Sequence, residues 1–282
     1  MRKYGFIILV TLFYVNSFSQ ELALMTYNIR LDVASDGENA WANRKEMLVS
    51  QVKFYAPDIF GIQEGLPQQV NYINEQLASY DFVGESRDGG NTGEYSALYF
   101  NKDKILLVQS ETFWLSETPN EVSKGWDAAF PRVCTFGLFE NKASGDQFWV
   151  FNTHLDHIGD IARKKGLELI LKKIEILNAD KLPVILMGDF NLEPNSEAIA
   201  ILKKEMNDSR EISNEIPYGP DGTFNAFNFE SIATKRIDYI FVSNSQEIEV
   251  QKYAVLNNSN HLKFPSDHFP VFIQLIFKKG KN

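Results

Sequence analysis

The stretch that most constrains this chain is Leu182-Pro183-Val184-Ile185-Leu186-Met187-Gly188-Asp189-Phe190-Asn191, an unbroken apolar run that ends in two polar side chains. Such a run fits a strand buried on both faces, with a short buried helix as the alternative that periodicity leaves open. On an extended backbone, residues two apart point the same way. Asp189 and Asn191 therefore emerge together where the strand ends, a carboxylate beside a carboxamide. Such a pair can hold a water or a phosphate oxygen next to a hard cation. Taken alone it is equally a polar turn, with Gly188 for the bend and Asn191 for a local hydrogen bond.

Other segments behave the same way. Leu22 to Arg30 is apolar and extended and ends at Thr26-Tyr27-Asn28; Asp58 to Glu64 is a short strand that delivers Gln63-Glu64. Trp41 to Tyr55 reads as a helix stopped by Pro57, Leu66, Val70, Ile73 and Leu77 as a second, and Ile161 to Leu177 as a third. Asn195-Ser196 caps a fourth, with Ile199 and Leu202 inward. Short β-type runs lie at Tyr95 to Phe100, Ile105 to Val108, Val133 to Phe139, Gln147 to Asn152, Arg236 to Val242 and Phe269 to Ile273. Thr112 to Trp126 reads as a long loop carrying two tryptophans. Several strands follow one another with no helix between them, which argues against a simple βαβ winding and for stacked sheets covered by helices.

Composition bounds the class. A chain of 282 residues, 44% hydrophobic and with no linker-like or low-complexity tract, suits one compact domain. Arg2 and Lys3, the apolar run Phe6 to Val15 and then Ser17-Phe18-Ser19 have the order of a secretory signal peptide, too short for a comfortable membrane span. The expected division is residues 1–19 as leader and 20–282 as the domain, exported to the periplasm or beyond, with no transmembrane segment after cleavage. Cys134 is the only cysteine, so the core must do without an internal disulfide. The formal net charge is −9, and loss of Arg2 and Lys3 takes it to −11. A protein that grips long nucleic acid shows a basic face, and no Lys/Arg-rich stripe occurs here. Walker loops, Gly-x-Ser-x-Gly elbows and His-Glu-x-x-His zinc motifs are absent as well, so nucleotide switching, serine hydrolysis and zinc proteolysis lose support.

Taken singly, the polar words are ordinary. Asn28 suits a strand-end turn, Glu64 a helix start, Glu94 a solvated turn, and His154 a satisfied core histidine after an aromatic strand. Asp238, between Ile237 and Tyr239, is harder to dismiss, because a carboxylate in an apolar strand needs a partner. In order along the chain they are Thr26-Tyr27-Asn28, Gln63-Glu64, Gly93-Glu94-Tyr95, Asn152-Thr153-His154-Leu155, Gly188-Asp189-Phe190-Asn191, Arg236-Ile237-Asp238-Tyr239 and Ser266-Asp267-His268. Together and in this order they resemble the endonuclease/exonuclease/phosphatase superfamily with its DNase I-like fold, over nearly the whole chain after the leader.

The resemblance implies a four-layer α/β/β/α sandwich, two mixed sheets flanked by helices, with a site at one end that hydrolyses phosphoesters. It implies Glu64 as principal ligand of Mg²⁺ (Mn²⁺ or Ca²⁺ as substitutes), supported by Asn28 and Asp267; oxygen donors suit such hard cations. Asp189 would orient or deprotonate the attacking water and Asn191 hold a phosphate oxygen. His268, oriented by Asp238, would stabilise the charged transition state. His154, paired with Glu94, would contact the phosphate or assist the leaving group. Arg132 resembles a phosphate-contacting arginine, and Asn152 belongs to the substrate-binding set. Asp156-His157 after the family histidine and Trp114 in the aromatic loop are expected to shape the substrate pocket. The expected substrate is a small or modest phosphoester, a phosphosugar or lipid headgroup, handled by a monomer. The alternatives are a secreted nuclease of DNase I type and a binding protein that kept the fold without the chemistry.

Overall fold

The computed structural model describes residues 21–278. The expected leader at 1–19 lies outside the described residues. In chain order the strands are β1 (Glu21–Asn28), β2 (Ile59–Gln63), β3 (Tyr80–Val83), β4 (Leu98–Asn101), β5 (Ile105–Trp114), β6 (Val133–Asn141), β7 (Gln147–His154), β8 (Val184–Asp189), β9 (Met206–Asp208), β10 (Asp238–Ser243), β11 (Ile248–Val255) and β12 (Val271–Phe277). The helices are α1 (Trp41–Tyr55), α2 (Pro67–Gln76), α3 (Asp160–Leu177) and α4 (Glu197–Glu205). None of them is long and apolar enough to cross a membrane.

The strands form two six-stranded sheets, ordered β11-β12-β1-β2-β4-β3 and β5-β6-β7-β8-β10-β9. Each sheet has one parallel pair at its centre, β1 with β2 and β7 with β8. Antiparallel strands flank that pair on either side. The two sheets thus share one pattern, the first joining the N-terminal strands to the C-terminal β11 and β12.

Three hydrophobic clusters define four layers. Between the sheets, Leu22, Leu24 and Ile59 pack with Phe148, Val150, Ile185, Met187, Ile240 and the inward residues of β12. Outside the first sheet, Met25, Tyr27, Phe60 and Ile62 lie under Trp41, Leu48 and Val52 of α1 and Val70 and Ile73 of α2. Outside the second, Trp149, Phe151, Leu186 and Phe241 lie under Leu167 and Ile170 of α3 and Ile199 and Leu202 of α4. Alternation along each strand sends one residue inward and the next toward a helix, and this is why runs such as Phe148 to Phe151 are apolar throughout. Each fully buried Leu, Ile or Phe contributes roughly 1.5–3 kcal/mol relative to an exposed one. This is the expected α/β/β/α sandwich.

Local expectations mostly coincide with the structure. Helix α1 spans the predicted residues, and Ser196 caps α4 by accepting from the amide of Ile199. The segment Thr112–Trp114 differs. It is the end of a ten-residue strand rather than a loop, because its partner Val133–Thr135 extends β6 to meet it. Strands β3, β9 and β11 carry no strong apolar signature and are recruited at sheet edges by pairing.

One inward position joins the sheets by polar contact. Asn152 of β7 donates to the carbonyls of Ile62 and Ala97 in the first sheet, both at 2.9 Å, and accepts from Gln63 Nε2 at 2.7 Å. The side chain fits only because residue 61 has none: a Cβ there would come within 2.6 Å of the Asn152 amide. Gly61→Ala is therefore expected to destabilise the fold by about 1–3 kcal/mol through overpacking. A urea unfolding curve with unchanged midpoint would contradict this account.

Candidate active site

The inward faces that are apolar through the middle of the sandwich turn polar at one end. There β1, β2, β7 and β8 finish and β10 and β12 begin, as the pairings of Asn28 with Gln63, His154 with Asp189 and Asp238 with Asp189 show. Asn28, His154, Asp189 and Asp238 are all buried inward residues of these strand ends. A cleft of about 980 Å³ opens over them, lined by Glu64, Glu94, Arg132, His154, Asp189, Asn191, Asp267 and His268 among others. A second groove of about 600 Å³, beside α1, contains none of these residues.

Asp189 is the centre. Its Oδ2 accepts from Asn28 Nδ2 at 2.9 Å and lies 3.5 Å from His154 Nε2 and 3.8 Å from His268 Nε2; its Oδ1 accepts from the amide of Asn191 at 2.9 Å. Burial, and then the neighbouring charge of Asp238, push its acid constant up to about 7. On the far side, His268 Nδ1 and Asp238 Oδ2 are 2.9 Å apart. Burial alone would lower the His268 value. Asp238 and Asp189 outweigh it and raise it well above the usual histidine range, so this ring is a cation. Asp238 is itself positioned by its backbone N–H, donated to Thr223 Oγ1 at 3.1 Å, and Phe224 lies edge-on to the His268 ring.

His154 is its opposite. Burial, Arg132 and Arg87 all hold it well below the usual range, so it is neutral. The Asn191 amide can only donate to His154 Nε2, at 3.1 Å, which places the ring proton on Nδ1. That Nδ1 has no hydrogen-bond partner. Glu94 lies 4.0 Å from it, too far for a hydrogen bond, because Arg87 holds the Glu94 carboxylate in a two-pronged pair at 2.7 and 2.8 Å. The expected His154–Glu94 pair is thus intercepted by an arginine that the sequence reading did not single out. Burial pushes Glu94 up to about 7 even so.

Carboxylates gather on the remaining side. Glu64, in a left-handed backbone conformation (φ 63°) after β2, accepts from Asn28 Nδ2 at 3.1 Å and from the Leu31 amide at 3.0 Å. Asp267 lines the same cleft, 3.9 Å from Arg30, and burial raises its acid constant. Asn28 turns its NH₂ toward both carboxylates, while its carbonyl accepts from the Arg30 amide at 3.0 Å. As placed, its NH₂ bridges Glu64 and Asp189, and its carbonyl oxygen, with one lone pair used by Arg30, is the atom left for its expected role as ligand. Among the described residues, Asp189, Asp238 and His268 also bring potential ligand atoms within 4.8 Å of one another. The oxygen donors of Glu64 and Asp267, gathered on this side of the cleft, fit a site for a divalent metal ion.

Three further expectations need correcting. Asn152 lies beneath the cleft, its amide fully used between the sheets. Trp114 is buried and donates its Nε1–H to the Arg87 carbonyl at 2.7 Å, so it braces Arg87 rather than lining the cleft. Both amide hydrogens of Asn191 go to His154 and to the Leu155 carbonyl, so it sets the tautomer of His154 before it meets any phosphate. Asp156 is buried behind the wall, where it pairs with Arg132 Nε at 3.3 Å, while Arg132 and His157 reach the cleft.

Arg44 of α1 is the residue that sequence reasoning missed most plainly. It is 2% exposed and donates to the carbonyls of Ile29, Arg30, Asn39 and Pro265, between the rings of Trp41 and Phe227. It ties the loop after Asn28 to the loop before Asp267. The only signal was an arginine three residues after Trp41 and four before Leu48, in the stripe of α1 that faces the core.

A family model for the Endonuclease/Exonuclease/phosphatase family matches residues 25–268, and the chain belongs to this family. A solved family member from Bacteroides thetaiotaomicron is 37% identical, covering 92% of this chain and 99% of its own, with a TM-score of 0.87. The mannosyl-6-phosphatase from the same organism is 39% identical, covering 91% and 100%, with a TM-score of 0.86. A protein from Acanthamoeba polyphaga mimivirus is 32% identical over 164 residues, which span 54% of this chain and 60% of the viral protein.

Two outcomes follow from this geometry. Arg44→Gln should loosen both ligand loops and weaken the apparent affinity for Mg²⁺ by roughly tenfold, the usual scale for groups behind a metal site; calorimetric titration measures it. The second concerns pH. His268, raised above its unfolded value of 6.5, and Asp189 and Glu94, raised to about 7, each hold a proton in the folded state that the unfolded chain has released. Their contribution is present at low pH and lost as pH climbs through the folded values. His154, shifted down, works against them only below 6.5. In metal-free buffer the melting temperature should therefore fall as pH rises from 6.5 into the alkaline range, and fall less in Asp238→Asn.

Proposed function

We propose that this chain is an exported, metal-dependent phosphatase that hydrolyses a small phosphoester by in-line attack of water. One observation carries the reading. The Nε2 atoms of His154 and His268 flank a single buried carboxylate, Asp189, at 3.5 and 3.8 Å, at the edge of a cleft lined by carboxylates, and burial raises the acid constant of that carboxyl. A group poised near neutrality is what proton transfer at neutral pH requires.

Glu64 and Asp267 would hold the cation, and their oxygen chemistry suits Mg²⁺. The triad of Asp189, Asp238 and His268 is the weaker candidate, because His268 is protonated and already engaged with Asp238. When bound, the cation supplies charge neutralisation at a phosphoryl oxygen. Asp189 takes the proton of the attacking water. His268, fixed at Nδ1 by Asp238, presents its Nε2–H to the charge that develops on the phosphoryl group. Arg132, held by Asp156, contributes a second fixed positive charge. His154, fixed at Nε2 by Asn191, lines the same cleft beside Asp189.

Substrate size follows from charge. The cleft's guanidinium groups are paired with carboxylates, Arg30 with Asp36, Arg87 with Glu94, Arg132 with Asp156 and Arg163 with Asp160, and Lys235 by itself is too little basic track for a long polyanion. The likeness to the mannosyl-6-phosphatase supports a phosphomonoester. Export is proposed from Arg2, Lys3 and the apolar run Phe6 to Val15.

The test is hydrolysis of p-nitrophenyl phosphate, bis-p-nitrophenyl phosphate and plasmid DNA with Mg²⁺ or EDTA. Expected is Mg²⁺-dependent turnover that favours the monoester and falls by about 10³-fold or more in Asp189→Ala. Turnover that persists in EDTA, or that favours DNA, would refute the reading.

A further inference from the structure

Beyond His154 the cleft continues along a wall built from the loop before β6 and the start of α3. We propose that this wall is the subsite for the leaving group, and that the leaving group is a neutral polyhydroxylated ring, a sugar. The proposal rests on the phosphatase reading above and adds to it the chemistry of the group that departs.

The wall is built from the inside. Asp156 is 1% exposed and accepts from Arg132 Nε at 3.3 Å, from the amides of Ile158 and Gly159 at 3.0 and 2.8 Å, and from the Phe130 amide at 3.3 Å. One buried carboxylate thereby fixes both the guanidinium and the loop that carries the aromatic ring. Arg132 Nη2 lies 3.2 Å from His157 Nδ1, and Arg163 donates to the Asp156 carbonyl at 2.9 Å while pairing with Asp160. Arg132 and Arg163 both reach the cleft, where their guanidinium edges are the wall's donors.

At the front of the wall Phe130 is 46% exposed, nearly parallel to the His157 ring (17°, 5.9 Å), with the Arg87 guanidinium 4.9 Å from its centroid. An aromatic of this size left half open beside a polar cleft calls for a partner with an apolar face.

Charge decides between candidate occupants. A second phosphate or carboxylate on the substrate would call for unpaired cations. Here each guanidinium already has its carboxylate, so the wall is close to neutral and sets donors beside acceptors. A hydroxyl is both donor and acceptor, and adjacent ring hydroxyls match the Arg163 guanidinium beside the exposed Asp160 carboxylate. The C–H face of a sugar suits Phe130. A nucleobase could stack on the same ring, but the phosphates that would accompany it in a chain find no basic track.

The experiment compares kcat/KM for glucose 6-phosphate and mannose 6-phosphate with phenyl phosphate, glycerol 3-phosphate and fructose 1,6-bisphosphate, in the Mg²⁺-loaded protein. Expected is a preference of roughly tenfold or more for the hexose monophosphates over glycerol 3-phosphate and phenyl phosphate. Phe130→Ala and Arg163→Gln should each remove most of it. His157→Gln, at an exposed position, gives the same reading should Arg163→Gln fail to fold. A wild type that ignores the sugar, one that favours the bisphosphate, or a hexose preference that survives these substitutions overturns the subsite while leaving the phosphatase intact. Absence of turnover on every ester removes the phosphatase reading and the subsite with it.

Discussion

The structure depends on one constraint: two sheets packed face to face admit apolar side chains between them and little else. Every inward polar residue must then bridge the sheets or sit where the interlayer space opens. Asn152 takes the first course, aided by the missing side chain of Gly61. Asn28, His154, Asp189 and Asp238 take the second, at the one end where their strands finish or begin. The cleft is thus the polar end of the central core, and its side chains are as rigidly placed as the core beneath them.

Burial at that end creates the chemistry. Carboxylates that would ionise near pH 4 in water are held as acids to about 7 in Asp189 and Glu94, because a low-dielectric surround penalises their charge. The two histidines separate for a related reason. Burial lowers both, but Asp238 and Asp189 outweigh it at His268, whereas Arg132 and Arg87 reinforce it at His154. One fold end therefore holds a cationic and a neutral imidazole, about the same carboxylate, without any difference in residue type. Each has its partner: Asp238 orients one ring and Asn191 sets the tautomer of the other.

A second tier of buried groups sets these side chains in place. Arg44 gathers the carbonyls of the two loops that carry Asn28 and Asp267, and Asp156 fixes Arg132 and the Phe130 loop. Arg87 is held by the Trp114 indole and takes Glu94 away from His154. These contacts join positions far apart in the chain and are specific to its tertiary packing. Family resemblance anticipated which polar side chains meet at the cleft better than it anticipated the groups behind them.

The sequence by itself determined the layers and most of the polar residues that gather at one end of the sandwich. Apolar runs of strand length, helical stripes such as that of α3, and polar words at strand ends are local patterns, readable because periods of 2 and 3.6 map directly onto faces. Seven such words in a known order were enough to name the family that the match over residues 25–268 then showed. Only the tertiary structure decided that Trp114 braces Arg87, that Asn28 turns its NH₂ toward Glu64 and Asp189, that Arg87 intercepts Glu94, and that Phe130 rather than a tryptophan faces the cleft. The reason is physical. Which donor meets which acceptor, and which histidine carries charge, depends on distances and burial between segments remote in the chain, and no local pattern encodes them.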